Sequence, residues 1–477
     1  MQSRTTHAGR PQSRIQAALA IVLSFFMASE SWALGTAFIG NEVPSARAAG
    51  QGYVGVAGQN NDPTAVFTNP GALTNLKGTQ VTAGGHWENI HGSYKDDAGN
   101  TTKEKVVNVI VPNLSLTQSF MDGKLAAGLG IQSPYGLETN WPSNSSLRYV
   151  ATVSRLGMID IMPAVAYQVH PKLSIGVGAD YVNVFRAQLD KNINNDFANL
   201  AVFTNFGLGG LTAGSPDATS SLRGSGTDWG YHAGMVFQPT EQHALGATYH
   251  SQVNVRINGN IAINGITGAG PQTVFGGSNY STSAFTDVVL PANVQLGYAY
   301  KPNDRWHFEA DTAWYHWSAE RDINVRFPAA TAGQQALLGN LGGTSNRTPL
   351  DLRDCWSFNA GVNYKASDTW QFRGGFWYEP RTSPETNFSP AFADLSRYGL
   401  SSGAGYAITE NLTIDAAYTA VFFHNRSIHN NVGSDSSNIP AGGVPGLGIP
   451  DPNISGTYKD FANLVALNLT YRFGGNK

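Results

Sequence analysis

The chain of 477 residues contains one cysteine, Cys355, which excludes a disulfide framework and any cysteine-rich zinc or iron–sulfur site. Charge is scarce too: Asp, Glu, Lys and Arg make up 13% of the residues, against roughly 25% in an ordinary soluble domain. The formal net charge is −3 and the basic residues form no clusters, which argues against nucleic acid as a partner. Outside the N-terminus there is no run of about 18 apolar residues able to cross a bilayer as a helix. The mean hydropathy of −0.21 likewise excludes a helical transporter. What the sequence has instead is glycine, 54 residues, and aromatics, with 10 Trp, 19 Tyr and 23 Phe. A chain so aromatic is not a disordered one. Two classes remain: a large secreted β protein, or a transmembrane β-barrel.

The N-terminus fixes the compartment. Arg4, Arg10 and Arg14 precede an apolar stretch over 15–28, and Ser31-Trp32-Ala33 places small residues where a signal peptidase reads them. Residues 1–33 are therefore expected to be a cleaved signal peptide. An exported chain with a single Cys suits a bacterial envelope.

A period of two then runs through most of the chain. Leu173, Ile175, Val177, Ala179 and Tyr181 alternate with Ser174, Gly176, Gly178 and Asp180. Leu245, Ala247, Tyr249, Val253, Val255 and Ile257 alternate with Gly246, Thr248, His250, Gln252, Asn254 and Arg256. The pattern predicts fourteen strands, near 78–90, 106–120, 124–138, 147–169, 172–189, 226–238, 243–257, 286–301, 305–327, 353–366, 369–379, 395–408, 411–428 and 457–473. Tight turns such as His170-Pro171 and Ser367-Asp368 alternate with long loops such as 190–225, 328–352 and 429–456. Short turns on one side, long loops on the other and an even strand count are the pattern of an outer-membrane barrel, and a sandwich has no reason to segregate its loops this way. Aromatics toward strand ends (Trp306, Trp314, Trp370, Tyr378, Tyr471, Phe473) fit interfacial girdles. The expected fold is an all-β, 14-stranded antiparallel transmembrane barrel over 77–473 with a short tail, 474–477.

Residues 34–76 do not alternate. They are small, polar and Gly-rich, too few to fold alone, and a fourteen-stranded barrel is wider than its own side chains can fill. They are expected to form a plug inside it. Within them stands Asp-Pro-x-Ala-Val-Phe-x-Asn-Pro: Asp62, Pro63, Ala65, Val66, Phe67, Asn69 and Pro70. With the fourteen strands and Pro134-Tyr135-Gly136-Leu137 near the end of strand 3, the mature chain resembles the outer-membrane long-chain fatty acid transporters of the FadL family and their aromatic-hydrocarbon relatives of the TodX kind. The family's Asn-Pro-Ala reads Asn-Pro-Gly here, with Gly71.

That resemblance implies a mechanism. A hydrophobic ligand is captured among outer loops, passes to a site within the barrel, and leaves sideways into the membrane where strand 3 kinks. Gly128, Gly130, Pro134, Tyr135 and Gly136 are the expected places for the opening. Phe197, Leu200, Phe203, Phe206, Leu208 and Leu211, in the loop after strand 5, are the expected capture surface, and Ala336, Leu337, Leu338 and Leu341 are expected to complete it as a short helix. A fatty acid carboxylate wants a basic partner. By parity the lumen-facing candidates are Arg256, Lys301, Arg373 and Arg472, with Arg148 and Arg155 on strand 4 as further ones. An aromatic hydrocarbon needs none of them.

Other functions fare worse. His250 and Ser251 are neighbours on one strand and point to opposite faces, so they do not form a nucleophile–base pair. The remaining histidines show no metal-ligand spacing. No enzyme activity, cofactor or metal is expected. A general porin shares the barrel but lacks a long Gly-rich plug, and no receptor motif marks the loops as those of an adhesin. The expected partners are a hydrophobic small molecule and outer-membrane lipid, with the chain acting as a monomer.

Overall fold

The computed structural model describes residues 45–58, 61–339 and 345–473. The expected signal peptide, residues 34–44, Leu341 and the tail 474–477 lie outside them. Fourteen strands run in chain order: β1 (Thr79–Asp96), β2 (Val107–Phe120), β3 (Leu125–Gln132, then Leu137–Asn140), β4 (Val153–His170), β5 (Leu173–Ile193), β6 (Ala218–Phe237) and β7 (His243–His250, then Val253–Asn264). They continue as β8 (Asn279–Leu290, then Asn293–Tyr300), β9 (Trp306–Tyr315, with Asp322–Arg326), β10 (Ser345–Pro349, with Cys355–Lys365), β11 (Trp370–Glu379), β12 (Arg397–Ala407), β13 (Leu412–Phe423) and β14 (Gly456–Phe473). Each strand pairs antiparallel with its neighbours, and β14 pairs with β1 from Thr79 opposite Phe473 to Asp96 opposite Gly456. Pairing of the last strand with the first closes the barrel, as a sheet in lipid requires.

The short connections, 121–124, 171–172, 238–242, 301–305, 366–369 and 408–411, all follow even-numbered strands and so share one end. The long loops share the other. Strands overrun several expected limits on the loop side: β6 begins at Ala218 and β8 at Asn279. There the residues are mostly polar or small, with apolar ones such as Leu222 and Phe285 few and scattered, so hydropathy gives little sign of where pairing stops. Outside, Leu296, Tyr298, Phe308, Phe372, Leu467 and Leu469 are exposed in an apolar band. Aromatic pairs mark its short-turn end, with Trp306 4.5 Å from Tyr364 and Trp370 4.7 Å from Tyr406 between ring centres.

One parity reading needs correcting. Leu245 and Tyr249 on β7 are exposed, yet Val253, Val255 and Ile257 are buried, although all are odd-numbered. The two residues between His250 and Val253 break the alternation and turn the rest of the strand over. Beside them Pro291 and Ala292 do the same to β8, where Val288 and Leu290 face inward and then Asn293 and Gln295 do. The inversion gives the barrel an apolar interior on its loop side. Val182, Val184, Leu156, Met158, Val253, Val255, Val288 and Leu290 pack there with Tyr135, Tyr315 and Trp317.

Candidate ligand path and its gate

The segment before β1 folds locally first. Ser45 caps helix α1 (Ala46–Gly50) by accepting from the Ala48 N–H, and its hydroxyl donates to Asp62. Asp62 in turn accepts from the Thr64 N–H at 3.0 Å just before helix α2 (Ala65–Thr68). Asn69 then caps the 3₁₀ turn Pro70–Asn75 by accepting from Gly71 N–H at 3.0 Å. The Asp-Pro…Asn-Pro box thus makes a turn at Asp62 just before α2 and caps the 3₁₀ turn at Asn69.

This segment is bonded to the inward faces of strands all around the ring. Asp311 on β9 accepts from the Gly55 and Val56 N–H groups at 2.8 and 3.1 Å, and Glu309 accepts from Ala57 N–H at 2.8 Å. Asn359 on β10 donates to the Gly52 carbonyl, and Asn468 on β14 accepts from Ala46 N–H, both at 2.8 Å. Arg47 reaches Asp415 on β13 at 3.1 Å, and Asp415 also holds Arg373 on β11 at 2.7 Å. Non-helical backbone at membrane depth needs such partners. Glycines let the wall approach: a Cβ on Gly246 would stand 1.9 Å from the Val56 carbonyl oxygen, and one on Gly361 2.0 Å from that of Gln51. Gly176 and Gly234, opposite one another, cradle Asn69-Pro70 in the same way. These glycines look like ordinary small residues of a polar face, so sequence alone does not single them out.

The expected opening residues fall into two groups. Gly128 and Gly130 lie within continuous pairing, opposite Thr117 and Ser115 of β2, and what they accommodate is Val66 of α2. The break in β3 comes later, at Ser133, Pro134, Tyr135 and Gly136. Proline cannot donate to a ladder, and the pairing of β2 with β3 ends at Leu114 opposite Ile131. Residues 107–113 of β2 keep their partners on β1 but have none on β3. Contact resumes only where the Lys105 N–H donates to the Asn140 carbonyl at 2.9 Å and Glu104 accepts from the Asn140 N–H at 2.6 Å. The interruption spans roughly 20 Å of wall at about 3.3 Å per residue. Tyr135 turns inward, its hydroxyl donating to the Pro291 carbonyl at 3.4 Å.

On the loop side, helix α3 (Asn195–Phe206) carries much of the expected capture surface. Phe197 and Leu200 pack toward Tyr149, Ile439 and Ile449, whereas Phe203, Phe206, Leu208 and Leu211 are exposed. Burial alone would push the Asp196 carboxyl up, but hydrogen bonds from Ser215 and Thr212 outweigh it and hold the group below its ordinary value. Helix α4 (Ala269–Phe275) stands beside α3, and α5 (Ala332–Leu338) beside α4, the latter inside the loop where a short helix was expected. Between them is a cavity lined by Phe197, Ala201, Phe275, Leu337 and Leu338 among others. A deeper, almost wholly apolar cavity lined by Leu137, Arg155, Leu156, Ile257 and Val288 shares Leu189, Leu222, Ile323, Val325 and Phe392 with it. A greasy path therefore leads from the loops into the barrel.

Of the basic candidates, only Arg155 stands at that path. It pairs with Glu138 across the β3–β4 ladder at 2.9 Å. Arg256 is corrected to the outside: its side chain is 58% exposed and bonds Asp287 opposite it at 2.9 Å, because the inverted parity of β7 carries it away from the lumen. Lys301 is exposed in the short turn that follows β8, which ends at Tyr300. Arg373 is committed to Asp415, Arg472 donates to Thr413 at 3.3 Å, and Arg148 pairs with Asp217 at 2.8 Å among the loops.

A closed fourteen-stranded barrel with an apolar outer band and an apolar path inside defines an outer-membrane transport protein rather than a soluble β protein. The sequence profile of the family described as outer membrane protein transport protein (OMPP1/FadL/TodX) matches residues 25–473, and the chain belongs to that family. It is 24% identical over 430 residues to a long-chain fatty acid transport protein of Salmonella typhi, covering 88% of this chain and 93% of the relative. It is 26% identical over 439 residues to a 47 kDa outer membrane protein of Pasteurella multocida, covering 89% and 91%. Its fold matches that of a Pseudomonas aeruginosa FadL homologue at 20% identity with a TM-score of 0.73, over 93% of this chain and all of the other. The toluene transporter TbuX of Ralstonia pickettii matches at 19% identity with a TM-score of 0.64, over 91% and 99%.

Proposed function

We propose that this protein carries hydrophobic compounds, above all long-chain fatty acids, across the outer membrane as a monomer, with residues 34–76 as a hatch filling the lumen. The ligand settles on the exposed face of α3, moves through the cavity under the loop helices and comes to rest in the deeper apolar cavity. Arg155 holds the carboxylate there, in competition with Glu138. Movement of the segment around Asn69 then lets the ligand leave through the interruption at Pro134–Gly136, directly into lipid. The observation that carries this reading is the continuity of the two cavities through five shared apolar residues, with Arg155 and Arg223 both lining the inner one. The names of the relatives support it. The toluene transporter among the solved structures favours a second reading, an aromatic hydrocarbon taken by the same route without use of Arg155.

Equilibrium binding to the protein in lipid nanodiscs separates the two. A charge-assisted hydrogen bond contributes about 1.5–3 kcal/mol, so Arg155→Leu is expected to weaken oleate binding roughly 10- to 100-fold while toluene binding stays as it was. Oleate affinity unchanged in Arg155→Leu removes the carboxylate role. Toluene binding with no oleate binding in the wild type selects the hydrocarbon reading.

A further inference from the structure

Four adjacent strands bring acidic and imidazole side chains to one height of the inner wall, just above α2. They are Asp160 on β4, Asp180 on β5, His232 on β6 and His250 on β7, all buried. Register produces the cluster. His232 stands directly opposite His250, while Gly178 opposite His232 and Val182 opposite Asp160 put the two aspartates on neighbouring diagonals of the same face. Gly178 also leaves the space His232 fills, since a Cβ there would come within 2.2 Å of the imidazole.

The contacts point to a missing cation. Asp180 Oδ1 lies 2.5 Å from His232 Nδ1, and the two imidazoles stack with centres 5.2 Å apart. A metal ion bound between Asp180 and His232 would take the place of the proton they share, as metal binding releases protons from its ligands. Nε2 of His232, Nε2 of His250 and Oδ1 of Asp160 are buried and have no hydrogen-bond partner. One ligating atom each from Asp180, His232 and His250 lies within 4.8 Å of the other two. Among the described residues, neither Asp160 nor Asp180 is paired with a lysine or arginine. Burying carboxylates without a counter-charge is costly.

We propose that Asp180, His232 and His250 form a binding site for a first-row divalent transition metal such as Zn²⁺, with Asp160 supplying further negative charge. Two imidazoles and a carboxylate suit Zn²⁺ and its neighbours, whereas Ca²⁺ and Mg²⁺ prefer oxygen ligands alone. The ring of Phe67, at the end of α2, is 5.2 Å from that of His250. A bound metal fixes His250 and therefore the surface on which α2 rests. The site is thus placed to set how readily the N-terminal segment shifts, and it does not depend on which hydrophobic ligand the barrel carries.

The test uses the full chain, purified in detergent, stripped with chelator and titrated with Zn²⁺ against a chromophoric chelator. One Zn²⁺ per chain is expected, with affinity falling at least 10-fold in His232→Ala and in His250→Gln and unchanged in His243→Ala, whose imidazole is outside the cluster. Heat-modifiable migration on gels establishes that each variant has assembled. Absence of stoichiometric binding to assembled wild-type protein, or binding that survives both substitutions, overturns the proposal. Should the variants not assemble, X-ray absorption of Zn²⁺ on the wild type decides: imidazole nitrogens in the shell support the site, and an all-oxygen shell refutes it.

Discussion

The side-chain amide of Asn69 donates to the main-chain carbonyl of Met235 on β6 at 2.9 Å. The same amide donates to the Val56 carbonyl at 2.6 Å, while the side-chain oxygen receives the Gly71 N–H. One fully buried side chain therefore joins two parts of the N-terminal segment to the barrel wall. Asn69→Ala leaves these groups unpaired, at about 1–3 kcal/mol for each buried group. The expected outcome is a loosened segment, seen as higher single-channel conductance in planar bilayers with unchanged assembly, and ligand release impaired more than surface binding. Wild-type conductance in this variant would contradict the seat assigned to Asn69.

Gly71 is the position where the family box reads alanine. A Cβ there would lie 2.9 Å from Met235 Cα and 3.0 Å from the Gly234 oxygen, both backbone atoms. Overpacking of this kind costs about 1–3 kcal/mol. Gly71→Ala is expected to lower the midpoint of denaturant unfolding, and an unaltered midpoint would mean that the wall yields.

Deletion of residues 34–76 tests the hatch directly. If they fill the lumen, the shortened protein conducts small ions as an open pore and admits sucrose. Conductance equal to that of the full chain would remove the assignment.

The interruption of β3 makes a separate prediction. Gly136→Trp fills the gap beside residues 107–113 without touching the paired half of β3. Uptake is expected to fall at least 10-fold while binding in detergent is retained. Full uptake by a correctly assembled variant would rule out lateral exit at this place.

The depressed Asp196 carboxyl gives the capture loop a pH dependence. A carboxyl whose folded value lies below its unfolded one stabilises the fold at neutral pH, and that contribution is lost as pH falls through the folded value. Loop 194–217 is therefore expected to become more sensitive to acid-active protease below about pH 4, with Asp196→Asn abolishing the difference between neutral and acid pH. Equal sensitivity of the wild type at both would contradict it.

The strand plan was legible because lipid imposes it: alternation and the segregation of loop lengths follow from closing a sheet in a membrane. The Asp62–Pro70 box was legible as a motif shared with a known family; the bonds by which it seats itself were not read from its residues. Arg256 was misplaced because a two-residue irregularity, Ser251-Gln252, reverses every side chain beyond it, and nothing in the composition marks it. Gly128 and Gly130 read as places for a break, yet their lack of a side chain serves Val66, a contact made by residues far away in the chain. The Asp180–His232–His250 cluster was invisible for the same reason. Its members are 18 or more residues apart in sequence, and only the register of three strands makes them neighbours.

The most direct measurement of the central claim is uptake of labelled oleate, labelled toluene and labelled sucrose by cells with and without this protein. The account predicts protein-dependent entry of oleate, with sucrose unchanged. Faster entry of sucrose alone would contradict it, because an apolar path closed by a seated N-terminal segment cannot serve as a general pore.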